Sequence, residues 1–93
     1  MLARVVEFEG VTKERLAQME QDMQGTAPPE GLNAKEMVVL HDAGADKAIV
    51  LLFFDNEEDY RSGDELLNAM PADETPGTRA SVTKYDVAFR ESM

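Results

Sequence analysis

A chain of 93 residues is long enough for one domain, 1–93, and too short for two. Its 19 Asp and Glu against 9 Lys and Arg give a formal charge of −10, which repels phosphate backbones and anionic lipid and argues against nucleic acid and membranes as partners. The absence of cysteine excludes disulfides, thiolate metal sites and cysteine nucleophiles.

Leu2 to Glu9 reads as a first strand, with Val6 and Phe8 on one side and Val5, Glu7 and Glu9 on the other. Gly10 breaks it. Thr12 is a good N-cap for a helix whose stripe is Leu16, Met19 and Met23, and Val11 before the cap can pack on Leu16 as a hydrophobic staple. Gln24 to Asn33, with Gly25, Pro28, Pro29 and Gly31, is a connection long enough to cross the sheet.

Ala34 to His41 is predicted as the second strand and Lys47 to Phe54 as the third. Between them, Asp42-Ala43-Gly44-Ala45-Asp46 is turn chemistry: two aspartates for local hydrogen bonds and a glycine for positive φ. So short a link makes the pair an antiparallel hairpin. Ile49, Leu51 and Phe53 share one side of the third strand, and Ala48, Val50, Leu52 and Phe54 the other. Both sides are apolar, so both need cover. Alternation does not say which side meets the helices.

Asp55 or Asn56 caps the next helix, and Asp55 with Glu58 has capping-box spacing. Glu57, Glu58 and Asp59 suit the positive end of the helix dipole. That electrostatic role, and the lack of the alternating ligands and glycine of a calcium loop, leave no expected metal site. Tyr60, Gly63, Leu66, Leu67 and Met70 form the inner face, and Pro71 ends the helix. After a loop from Ala72 to Thr78, the last strand is predicted over Ala80–Phe89.

The order β-α-β-β-α-β predicts an α+β ferredoxin-like fold, a four-stranded antiparallel sheet with two helices on one face. With the two-sided third strand, the chain resembles the dimeric α/β-barrel superfamily, in which two sheets pack face to face. The segments Tyr60–Met70, Arg79–Val82 and Pro28–Gly31 resemble small uncharacterised actinobacterial proteins of that kind. The resemblance implies a homodimer through the sheet face. It is distantly similar to cofactor-independent monooxygenases of the antibiotic-biosynthesis type, which implies no cofactor. The related haem-degrading proteins use an Asn, Trp and His set. This chain has no Trp, no Asn in its first strand, and its one His at the end of the second strand, so that site does not carry over.

The candidate site residues are few. His41 can serve as a base near neutral pH, or be an ordinary strand-end side chain. Tyr60, Asp64 and Asn68 share a helical face beside Gly63 and could wall a pocket between the second helix and the sheet, or simply pack there. Tyr85 is a further hydrogen-bond donor. Arg61, Arg79 and Arg90 are scarce cations able to grip a carboxylate ligand, or to pair with local acids. Two readings therefore stand: a homodimer with at most a modest ligand pocket, and a small enzyme acting on a hydrophobic molecule through His41, Tyr60, Asp64 and Tyr85, with Gly63, Asn68 and Arg79 around the ligand. The first seven residues lack a signal-peptide pattern and Ala48–Phe54 is far short of a membrane span, so the cytoplasm is the expected location.

Overall fold

The structure, a computed structural model, describes residues 1–24, 31–70 and 75–93. The elements are β1 (Leu2–Glu9), α1 (Lys13–Gln24), β2 (Glu36–Asp42), β3 (Lys47–Phe54), α2 (Glu57–Asn68) and β4 (Thr78–Asp86). The strands form one antiparallel sheet in the order β2-β3-β1-β4, which is the ferredoxin-like arrangement predicted. Pro28, Pro29, Glu30 and Pro71, with most of the first long connection, lie outside the described residues.

Local chemistry sets the element ends. The Thr12 hydroxyl accepts from Arg15 N at 3.2 Å, and buried Val11 packs in the same cluster as Leu16, so the cap and staple of α1 are both present. Asn56 caps α2: its Oδ1 accepts from Asp59 N at 2.8 Å, and its Nδ2 donates to Asp59 Oδ2 at 3.2 Å. The reciprocal partner is therefore Asp59, one residue beyond the Asp55–Glu58 spacing. In the β2–β3 turn the left-handed residue is Asp46 (φ 53°), not Gly44. Aspartate tolerates that region, and Asp42 Oδ1 accepts from Ala45 N at 3.3 Å. The last strand stops at Asp86 because its partner there is Leu2, where β1 begins; one more bond, Val87 N to Met1 O at 3.0 Å, closes the ladder.

Register and alternation sort the side chains into two faces. Leu2, Arg4, Val6 and Phe8 of β1 pair with Phe54, Leu52, Val50 and Ala48 of β3 and face the helices. Two buried clusters result, one of Leu2, Leu52, Phe54 and Tyr60, the other of Val6, Phe8, Val11 and Ala48. The opposite face carries Val5, Val38, Leu40, Ile49, Leu51 and Phe53, and neither described helix covers it. Val5, Val38, Ile49, Leu51 and Phe53 are half-buried there, and Leu40 is exposed.

Helix α2 sits close because Gly63 has no side chain. A Cβ at that position would fall 2.6 Å from the ring of Phe54, which is fully buried. Gly63→Ala is expected to lower stability by about 1–3 kcal/mol, the usual cost of overpacking a filled core, measured as a fall in the urea midpoint with an unchanged m-value.

Candidate functional site

Arg4 is the one charged residue buried among the described residues, 4% exposed between the two apolar clusters. An isolated guanidinium there would be costly, and α2 supplies its partners. Arg4 Nε donates to Asp64 Oδ1 at 2.9 Å and Nη2 to Asn68 Oδ1 at 3.1 Å. Asn68 Nδ2 donates to Asp64 Oδ2 at 3.3 Å, and Arg79 Nη1 donates to Asn68 Oδ1 at 2.7 Å. The i, i+4 spacing of Asp64 and Asn68 aims both groups at one strand residue. Three of the predicted residues, Asp64, Asn68 and Arg79, thus meet around a fourth that the sequence reading passed over. Arg4 is in phase with Val6 and Phe8, and that parity was the available signal.

Tyr60 lies on the same helix one turn earlier. Its ring meets Phe54 edge-on, centroids 5.5 Å apart, and Lys84 Nζ stands 5.1 Å from its centroid. Burial raises the Tyr60 pKa above its ordinary 10.0, and the nearby Asp64 charge adds to that. Lys84 also donates to both carboxylate oxygens of Glu57, at 2.6 and 2.5 Å, and this bond lowers the Glu57 pKa below 4.5. With Tyr60 and Gly63 both in contact with Phe54, the space between α2 and the sheet at this point is occupied by side chains.

A cavity of about 290 Å³ opens at the other end of the sheet, where β1 and β2 finish and β3 and β4 begin. Glu7, Glu9, Leu40, Asp42, Lys47 and Ile49, which register puts on the open face, line it together with Ala80 and the helix-side residues Phe8 and Ala48. Glu7 is held by Ser81, whose hydroxyl donates to Oε2 at 2.9 Å. His41 borders the cavity but has the opposite parity. Its Nε2 donates to the Val11 carbonyl at 3.0 Å on the helix side. A neutral ring so held keeps its proton on Nε2 and leaves Nδ1 as its one basic nitrogen.

The four predicted catalytic residues do not share a site. His41 lies level with Phe8, whereas Tyr85 pairs with Ala3 and faces away from the helices. Those rows are five residues apart along β1, on the order of 16 Å. Tyr60 and Asp64 are on α2, the latter engaged by Arg4. Of the other arginines, Arg61 lies 4.0 Å from Glu57 and Arg90 pairs with Glu36. No group of three or more His, Asp or Glu that could hold a metal occurs among the described residues, and no described helix is long and apolar enough to cross a membrane. Comparison with known protein families, curated proteins and solved structures finds no match.

Asp64→Ala leaves Arg4 buried without its carboxylate and is expected to cost on the order of 3 kcal/mol, with Asp64→Asn losing less because an acceptor remains; urea denaturation of both variants measures it. Tyr60 also has a pH signature. Its folded pKa is raised, so its contribution to stability is complete below the unfolded value and is lost as pH climbs toward the folded one. In Tyr85→Phe, which leaves a single phenol, absorbance at 295 nm should rise only above pH 10.0, together with loss of near-ultraviolet dichroism.

Proposed function

We propose that the chain functions as a homodimer in which two sheets stack through their open faces, as in a dimeric α/β barrel, and that it serves as a binding or structural assembly without a catalytic centre of its own. The observation behind this is the uncovered half of β3. Ile49, Leu51 and Phe53 lie beside Val5 and Val38 with neither described helix over them, and contiguous apolar surface of that kind marks an association site.

The dimensions favour a second copy. Four strands ~4.8 Å apart and about eight residues long give a face of roughly 500 Å² in projection. Side-chain relief raises the accessible area toward the ~800 Å² per partner of a standard specific interface. The centre of the face is uncharged, with Val5 flanked by Leu51 and Thr83, and the acidic residues Glu7, Glu9 and Asp42 sit at one end of it. The separation of His41, Tyr60, Asp64 and Tyr85 weighs against the enzyme reading.

Neighbouring leucines of β3 give the test. Leu51→Asp puts a charge on the open face and is expected to yield a folded monomer. Leu52→Asp puts it in the closed core and is expected to abolish folding. Sedimentation velocity and circular dichroism separate the two outcomes. Wild-type protein that sediments as a monomer at about 100 μM, weaker than functional dimers of this interface size, would sink the reading.

A further inference from the structure

We propose that the helix side of β4 carries a site for a small aliphatic carboxylate, with the Arg79 guanidinium gripping the carboxylate and Val82 lying under the aliphatic body. The site is on the side of the sheet away from the proposed dimer contact and does not depend on it.

Arg4, Val6 and Phe8 pair across the sheet with Lys84, Val82 and Arg79, so these three β4 residues share the helix side. The two cations among them differ. Lys84 is held by both oxygens of the Glu57 carboxylate. Arg79 makes no ion pair among the described residues. It donates instead to a neutral acceptor, Asn68 Oδ1, at 2.7 Å. The same oxygen accepts from Arg4 Nη2 at 3.1 Å. Two guanidinium groups thus meet at one amide oxygen, and among the described residues Asp64 is the one carboxylate bonded to either. In a chain with 19 acidic residues against 9 basic ones, this cluster keeps a surplus of positive charge. A singly charged anion matches that surplus.

Arg79 is also held in place. Asp64 and Asn68 are tied to buried Arg4, and Asn68 in turn fixes Nη1 of Arg79. The Nε and Nη2 edge of Arg79 has no partner among the described residues. Its two parallel N–H groups fit the two oxygens of a carboxylate. The side chain is exposed, so a ligand can reach it, and little of its rotamer freedom is left to lose on binding. Register supplies the apolar half of the site. Arg4 and Phe8 each lie two residues from Val6 along β1, so Arg4 and Arg79 reach Asn68 from opposite sides of the Val6–Val82 row. Their meeting point lies above that row. Helix α2 packs on β1 and β3, and Val82 beside it stays 36% exposed. A bidentate cation next to an exposed valine suits an acid with a short alkyl chain; a doubly charged phosphate would exceed the local surplus and leave Val82 wet.

Titration with sodium butyrate in place of sodium chloride, at constant ionic strength and followed by nitrogen–proton NMR, tests the site. The expected result is saturable shifts of the Arg79 Nε–H and of the Arg79 and Val82 amides, with a Kd on the order of 1–10 mM, as one charge-assisted fork and one apolar contact provide. Arg79→Gln changes an exposed residue, leaves the fold intact and is expected to abolish the shifts. Arg79→Lys keeps the charge without the fork and is expected to bind roughly tenfold more weakly. Shifts no larger than chloride gives, or full binding in Arg79→Gln, would overturn the proposal. Acetate lacks the alkyl chain and is expected to bind more weakly than butyrate; equal binding would overturn the aliphatic class of ligand. Asn68 acts here as a positioning residue. In Asn68→Ala the Arg79 Nε–H resonance is expected to move to its random-coil position and butyrate affinity to fall, and unaltered affinity would remove that role.

Discussion

Strand β3 must keep water from both of its sides, and one chain supplies a complete cover for only one of them. On the helix side, Ala48, Leu52 and Phe54 are buried against β1, Val11 and α2. On the other side, Ile49, Leu51 and Phe53 remain half-buried. Burying a full aliphatic or aromatic side chain contributes about 1.5–3 kcal/mol. Several such groups left partly wet are a large share of the ~5–10 kcal/mol that keeps a domain of this size folded. That imbalance is the physical ground of the proposed association.

The closed side is held by more than apolar contact. Arg4 divides its two clusters and requires acceptors, and α2 is oriented so that Asp64 and Asn68 reach it. Helix and sheet are thereby keyed in both rotation and height. Gly63 sets how near they come and the Arg4 network sets which residues face each other. A buried ion pair is weak evidence for stability by itself, since its desolvation offsets much of its attraction. Its consequence here is positional: it draws Asp64, Asn68 and Arg79 into structural duty.

The open side is asymmetric along the strands. The Arg90 guanidinium lies over Phe53 at one end, while the cavity lies level with Ile49 at the other. The same asymmetry places the acidic residues Glu7, Glu9 and Asp42 away from Glu36 and Arg90.

Much of this protein was determined by its sequence alone. Element order, the caps and staple of the helices, and the Lys47–Phe54 strand follow from period, capping residues and turn composition, which act over a few neighbours. Only the tertiary structure decided the rest. Alternation is identical for either choice of face, so it took strand pairing to put Leu52 and Phe54 under the helices and Leu51 and Phe53 outside. The end of β4 at Asp86 depends on where β1 begins, across most of the chain. The contact of the His41 ring with Val11 and the burial of Arg4 under α2 were not legible, because a side chain's surroundings depend on neighbours that are distant in sequence.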